Sequence, residues 1–218
     1  MNSIDRRNFI ATAGVLGLGL SVAPFDLHAE TLPVTPTQTA GPFYPIPPIS
    51  QQKFKDTDLT RKLGDDEVAK GELIVVEGKI LDTNGQPIKN AVVEVWQAGT
   101  SGKYNHPRDD NQVPLDNNFQ YWGTTLTDQN GSYSFKTIKP GEYPGRSPHI
   151  HYHVAAAGFR RMLTQMYFAQ EGKANAKDFI YRNLSKKARD QVTVEFEKCK
   201  QLKDGTRGNF DVVLAKAR

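Results

Sequence analysis

The residues best suited to chemistry lie between Pro140 and Val154, a segment that holds three of the five histidines of the chain. From His149 onwards the residues alternate, so a β-strand here would turn the imidazoles of His149, His151 and His153 to one face. Residues two apart on a strand are separated by roughly 6.6 Å at Cα, so two neutral imidazoles can converge on one ion. The pair His149 and His151 therefore predicts a metal site.

The residues around this pair decide between a metal site and an ordinary polar strand. His153 would lie about 13 Å from His149, too far to share the ion, so we expect it beside the site or at the surface. A polar edge strand with coincidental histidines would explain a His-x-His pair by itself. Tyr143 and Arg146 favour the metal site, because a phenolate oxygen combined with imidazole nitrogens suits a ferric ion.

Short β-strands are the elements predicted to position these side chains. Asn84-Gly85 and the turn at 128–131 mark hairpins. One helix-like stretch occupies 174–190. Repeated short strands of this kind predict an all-β fold, an antiparallel β-sandwich of about eight strands with one short helical insertion, occupying residues 71–218. The predicted strands are 73–81, 91–97, 123–127, 132–137, 149–156, 162–168, 191–196 and 210–214.

The chain before residue 71 divides into two parts. Arg6-Arg7 and the apolar run 11–23 predict a twin-arginine export signal over residues 1–29, with cleavage after Ala29. This signal predicts a periplasmic or extracellular protein. The apolar run is too short for a spanning helix, so we expect no membrane contact in the mature form. Residues 30–70 contain six prolines and predict an irregular N-terminal arm.

Composition narrows the class of protein further. A chain of 218 residues, 38% of them hydrophobic, can bury one substantial core. The single cysteine, Cys199, excludes an intramolecular disulfide and a thiolate metal cluster. The net charge of +4 is spread along the chain, which argues against a nucleic-acid partner.

Several segments together carry a resemblance to a known family. Tyr143-Pro144, the pattern Arg146-x-Pro-His149-x-His151, and the segment 163–168 are similar to those of the intradiol ring-cleavage dioxygenases, in particular protocatechuate 3,4-dioxygenase subunits. Segments 35–44, 114–119, 125–128 and 138–141 resemble the same family in the same order. The resemblance therefore spans most of the chain from residue 35 to residue 168.

The resemblance implies a ferric ion held by two tyrosinates and two histidines, with a catecholic substrate and O2 as partners and a muconate-type product. Tyr143, His149 and His151 match three of these ligands. Arg146 matches an arginine that lies against the bound ring, where a fixed positive charge stabilises developing negative charge. Gln165 matches a glutamine that holds nearby charge and oxygen intermediates.

The fourth ligand has several candidates. Counting back from Pro114 without a gap places Asn111 at the family's tyrosine position, and an asparagine is a poor anionic ligand. Tyr104 and Tyr121 lie on either side in one long loop, and we favour Tyr104 over Tyr121. His106, in the same loop, is a third candidate, and an iron with only three protein ligands would need none of them.

Two functions follow from these observations. The first is a ferric intradiol dioxygenase that acts on a protocatechuate-like catechol. The second is a non-catalytic β-sandwich subunit or binding module that lacks a complete iron site, because the pattern at 73–96 also opens many small sandwich modules. A binding module has no need of Tyr143, His149 and His151 together. Members of the family assemble, which leaves a homo-oligomer open.

Overall fold

The computed structural model describes residues 31–46, 56–62, 66–200, 202 and 205–217. The predicted export signal lies outside these residues. In this part of the chain ten strands and two short helices form an all-β sandwich of two sheets, which confirms the predicted fold class. The elements are β1 (Leu73–Asp82), β2 (Val92–Trp96), β3 (Trp122–Leu126), β4 (Ser132–Ile138), β5 (His149–Ala155), β6 (Met162–Phe168), α1 (Gly172–Asn175), α2 (Lys186–Val192), β7 (Thr193–Val194), β8 (Phe196–Lys198), β9 (Thr206–Asn209) and β10 (Val212–Leu214).

The first sheet is organised around β1. Strand β4 pairs with β1 in the antiparallel direction. Strands β9 and β10 pair parallel with two successive parts of β1. Strand β8 lies beyond β9. The second sheet has the order β3-β2-β5-β6-β7, antiparallel except for the last pair. The sandwich therefore combines antiparallel hairpins with three parallel pairings.

Side chains of β5 alternate between two faces of the second sheet. Ile150, Tyr152 and Val154 belong to the main core between the sheets. Since successive side chains of a strand point to opposite faces, His149 and His151 lie on the other face. The arm covers this face: Ala40 and Phe43 pack against a second cluster of buried residues that contains Trp96 and Tyr104.

The predicted helical stretch is divided in the structure. Single 3-10 turns at Ala169–Glu171 and Tyr181–Asn183 accompany α1 and α2. Asp178 interrupts the helix because its carboxylate accepts hydrogen bonds from the backbone N–H groups of Ile180 and Tyr181. Among the described residues no helix is both long and apolar enough to cross a bilayer.

Candidate metal centre

His149 and His151 present their side chains to one point on the outer face of the second sheet. Their Nε2 atoms are 3.2 Å apart, and each residue is only 2% exposed. With metal–nitrogen bonds of about 2.1 Å, this separation corresponds to an angle of about 100° at a shared ion. The pair therefore has the spacing of two ligands of one metal.

Each imidazole is oriented by a different neighbour. His149 Nδ1 lies 2.6 Å from the Ser147 carbonyl oxygen, and donation of a proton there leaves Nε2 with its lone pair towards His151. Metal-bound histidines commonly have a partner of this kind. The ring of His151 stacks on Trp96, with centroids 4.7 Å apart and planes 7° from parallel. Its buried Nδ1 has no hydrogen-bond partner among the described residues.

Both imidazoles are held neutral. Burial lowers the pKa of His149 far below its ordinary value, and the nearby Arg146 guanidinium lowers it further. Burial lowers the pKa of His151 as well, followed by the effects of His149 and Arg146. Since a metal binds the neutral ring, the site keeps both imidazoles in the ligating form.

Two tyrosines complete the cluster. The Tyr104 hydroxyl lies 3.4 Å from His149 Nε2, and the Tyr104 ring meets the Tyr143 ring edge to face at 5.6 Å. Burial raises the pKa of both hydroxyls, and at Tyr143 the Arg146 guanidinium opposes that rise. Arg146 donates to the Tyr143 oxygen at 3.1 Å. Of the two phenols, Tyr143 is therefore the one whose anion receives a direct hydrogen bond from a cation.

The structure separates the two candidate tyrosines of the loop, of which the sequence analysis favoured Tyr104. Tyr104 is at the cluster, whereas Tyr121 lies in the main core and packs on Phe119 at 4.6 Å. The Tyr121 oxygen accepts a hydrogen bond from the Asp116 backbone at 2.8 Å. Tyr121 has a positive φ of 63°, a backbone conformation that is uncommon for a residue other than glycine. The geometry brings Tyr104 to the imidazoles and Tyr121 elsewhere.

The remaining candidates in the same loop have their polar atoms engaged locally. His106 Nδ1 accepts from the Arg108 backbone N–H at 3.1 Å, and its ring packs 5.8 Å from Phe43. The side-chain oxygen of Asn111 accepts from the backbone of Val113 at 3.2 Å. These contacts hold one polar atom of each side chain within the loop.

Arg146 is a buried residue, 6% exposed, and not a surface arginine of the proline turn. Its Nε donates to Asp178 at 2.9 Å, and its terminal nitrogen atoms donate to Tyr143 and to Gln165, the latter at 2.5 Å. Gln165 lies on β6 opposite His151 and donates from its own amide to the Thr39 carbonyl. Arg146 and Gln165 therefore form one network that borders the tyrosine and histidine cluster.

The arm forms the outer wall of the cluster. Phe43 packs on Tyr104 at 4.8 Å and on Tyr143 at 6.0 Å. Gly41 has a φ of 68°, and a Cβ there would lie 3.5 Å from the His151 ring. Because of this positive φ a residue with a side chain would be strained at Gly41, while its Cβ would make an ordinary van der Waals contact with the imidazole. Tyr44 packs edge to face on Trp96 at 4.9 Å.

A buried carboxylate links the arm to the sheet. Glu94 on β2 accepts from the Trp122 indole at 2.6 Å and from the Tyr44 hydroxyl at 3.0 Å. His153, expected beside the site or at the surface, is 2.9 Å from the same carboxylate. This network lies on the face of the sheet that carries His151.

Sequence reasoning did not single out Glu94 or Asp178. Glu94 occupies a polar position in an alternating strand, which is also where a solvated residue would lie. Asp178 lies 32 residues from Arg146, and its local sequence gives no sign of the contact. Both were missed because their partners come from distant segments of the chain.

The set of donor atoms fits a ferric ion. Among the described residues no group of three or more His, Cys, Asp and Glu side chains could hold a metal. The cluster offers instead two neutral imidazole nitrogens and two phenol oxygens. Hard anionic oxygen stabilises a high metal charge, and imidazole suits iron, so these residues fit the group that the sequence predicted.

Comparison with known proteins places this chain in a family. A family model described as Dioxygenase matches residues 41–216. The protocatechuate 3,4-dioxygenase beta chain of Burkholderia cepacia is 40% identical over 168 residues, which cover 73% of this chain and 71% of that one. The alpha chain of the same enzyme from Pseudomonas putida is 31% identical over 193 residues, covering 84% and 92%.

Solved structures give the same result. The dioxygenase domain of a dioxygenase and carbohydrate-binding protein fusion from Streptomyces sp. SirexAA-E superposes with a TM-score of 0.61 at 27% identity, covering 85% of this chain and 100% of that one. The chain belongs to the intradiol ring-cleavage dioxygenase family.

Proposed function

We propose that the chain is a ferric intradiol dioxygenase that cleaves the ring of a catecholic compound between its two hydroxylated carbons. The product would be a muconate-type diacid that receives both atoms of O2. The observation that carries this proposal is the cluster of two neutral imidazoles with two tyrosines beside a buried arginine. A sandwich subunit that serves only as a scaffold would not need these groups together.

His149, His151, Tyr143 and Tyr104 are the residues proposed to hold the iron. Their support is geometric: the imidazole nitrogens face each other at 3.2 Å, and the Tyr104 oxygen lies 3.4 Å from His149 Nε2. When bound, the ferric ion would supply a Lewis acid that coordinates the substrate oxygens and activates the ring towards O2.

Tyr143 is proposed to hold a proton released by the substrate. A catechol that binds a metal loses its hydroxyl protons, and a phenolate oxygen at the site can accept one. The Tyr143 oxygen already accepts a hydrogen bond from Arg146 at 3.1 Å, so its anion is stabilised before the proton arrives. Of the two phenols, Tyr143 is therefore the better placed to exchange a proton.

Arg146 and Gln165 are proposed to stabilise charge that develops on the substrate. The guanidinium is buried and fixed by Asp178, Gln165 and Tyr143, so it does not have to reorganise during the reaction. Gln165 accepts from Arg146 and donates to the Thr39 carbonyl, which links the arginine to the arm.

Oxygen consumption by iron-loaded protein over a panel of substituted catechols tests the proposal. We expect consumption with at least one catechol, protocatechuate among the first to try because two relatives are chains of protocatechuate 3,4-dioxygenase. His149→Ala is expected to abolish oxygen consumption. Tyr121→Phe, a substitution outside the cluster, is the control and should retain it. Bound iron without oxygen consumption on any catechol would contradict the proposal and favour the non-catalytic subunit.

Two further properties belong to the same proposal. The twin-arginine pattern of residues 1–29 supports export in the folded, metal-loaded state to the periplasm or beyond. The similarity to alpha and beta chains supports assembly with further subunits, including copies of this chain. Cell fractionation and the mass in solution measure these two properties directly.

A further inference from the structure

Asp178 is a buried carboxylate that connects the helical insertion to the active-site arginine. The residue is 1% exposed, and its side chain forms an ion pair with Arg146 in which both side chains are inaccessible or nearly so. One oxygen, Oδ2, accepts from Arg146 Nε and from the Ser147 backbone, both at 2.9 Å. The other, Oδ1, accepts from the backbones of Ile180 and Tyr181 at 2.8 and 3.0 Å.

The two carboxylate oxygens therefore have different partners. Oδ1 shapes the turn between α1 and α2. Oδ2 holds the turn that carries Arg146 and the guanidinium itself. A residue that only anchored the insertion would not need the second set of contacts. The contact with Arg146 is thus a separate property of Asp178 and can be tested apart from the turn.

The orientation of the guanidinium depends on this contact. An arginine side chain has several rotatable bonds, and its planar group is fixed only when hydrogen bonds hold it from more than one side. Asp178 holds the Nε edge, whereas Tyr143 and Gln165 contact the terminal nitrogens. A fourth partner, the Tyr167 hydroxyl, accepts from a terminal nitrogen at 3.2 Å. Of the four partners only Asp178 is a carboxylate. Charge-assisted hydrogen bonds are the stronger kind, so Asp178 contributes most to the fixed orientation.

We propose that Asp178 is a positioning residue for ring cleavage: it fixes the guanidinium of Arg146 in the plane from which it reaches Tyr143 and the bound ring. This inference rests on the proposed function. Asp178 Oδ2 leads to the cluster by two routes, through the Arg146 guanidinium and through the Ser147 backbone, whose carbonyl orients His149. We assign its effect on the reaction to the first route. A misplacement of about 1 Å in a positioned group can cost about 100-fold in rate.

A double-mutant cycle on kcat tests whether Asp178 acts through Arg146. Asp178→Asn is expected to lower kcat about 100-fold, and Arg146→Ala at least as much. The double variant is expected to match Arg146→Ala within about threefold, because no guanidinium remains to be positioned. Losses that multiply in the double variant, or an unchanged kcat in Asp178→Asn, would overturn the proposal. Asp178→Glu, which keeps the charge and displaces it, takes the place of Asp178→Asn if that variant does not fold.

Loosening of the insertion needs its own control. Ser185 caps α2 by accepting a hydrogen bond from the Ala188 backbone, and it is exposed. Ser185→Ala is expected to destabilise the same insertion and to leave kcat unchanged. A loss of kcat in this variant comparable to that of Asp178→Asn would assign the effect to the insertion and contradict the proposal.

A measurement on the metal-free protein separates this inference from the proposed function. The Arg146 Nε–H, identified by its loss in Arg146→Lys, is expected to exchange slowly with solvent in NMR spectra of the wild type. Asp178→Asn, or Asp178→Glu, should accelerate the exchange at least tenfold. Fast exchange in the wild type, or equal exchange in the variant, would refute the positioning role whether or not the protein cleaves a catechol.

Discussion

Lowering the pH of the metal-free protein is expected to destabilise it through His149 and His151. Both rings are buried, and the pKa of each is lowered in the folded protein from an ordinary value of 6.5. Between the folded and unfolded pKa values the unfolded chain binds more protons. Stability is therefore fully present above pH 6.5 and is lost as the pH falls below it.

The size of the loss follows from the number of such rings. A histidine that stays neutral in the folded state loses about 1.6 kcal/mol of stability between pH 6.5 and pH 5, so two lose about 3 kcal/mol. Asp58 and Glu94 have lowered pKa values in the folded protein, so their contributions are lost mainly at lower pH. The window from pH 6.5 to pH 5 therefore reports on the histidines.

Urea unfolding of the metal-free protein at the two pH values measures this loss. His149→Gln removes one titrating ring and is expected to halve the difference between the two pH values, whatever its effect on absolute stability. His106→Gln, at a partly exposed ring of the same region, is the control and should change the difference far less. An undiminished difference in His149→Gln would refute the reasoning that the buried pair is held neutral.

Three other changes test separate parts of the site. Tyr104→Phe is expected to alter the visible spectrum of the iron-loaded protein, whereas Tyr121→Phe should leave the spectrum unchanged. If both variants give the same spectrum, Tyr104 is not an iron ligand. Arg146→Ala should retain iron, by metal analysis, and lose about 100-fold or more in kcat; full turnover would count against its role. Glu94→Leu should cost about 1–3 kcal/mol in urea unfolding, because the buried Trp122 indole loses its acceptor. Glu94→Gln keeps an acceptor and should cost less, so equal costs would show that the hydrogen bond is unimportant.

Two strands that carry the site were predicted well. Strand β5 begins at His149 and β6 spans Met162–Phe168, as the sequence indicated. In β5 the alternation is informative because one face of the strand meets the core and the other meets the cluster. Strand β9, with the sequence Thr-Arg-Gly-Asn, was not predicted, since it has no alternation and is held by pairing with β1.

The site was predictable only where it depends on local sequence. The shared face of His149 and His151 follows from the period of a strand. The convergence of their nitrogen atoms follows from the Ser147 carbonyl and from the Trp96 ring, and the second of these is on another strand. Long-range packing of this kind leaves no mark in a single sequence.

The choice between Tyr104 and Tyr121 illustrates the same limit. Both tyrosines lie in one irregular connection between β2 and β3, where no periodicity fixes the direction of a side chain. Tyr104 turns towards the imidazoles, and Tyr121, with its positive φ, turns into the core. The path of this loop is set by contacts with the arm and the core together with hydrogen bonds within the loop.

The visible spectrum of the iron-loaded protein is the sharpest test of the proposed ligand set. Tyrosinate bound to ferric iron absorbs visible light by charge transfer, so we predict a reddish protein whose band shifts when a catechol is added. A sample with one iron per chain and no such band would contradict the assignment of tyrosine and histidine ligands to the metal.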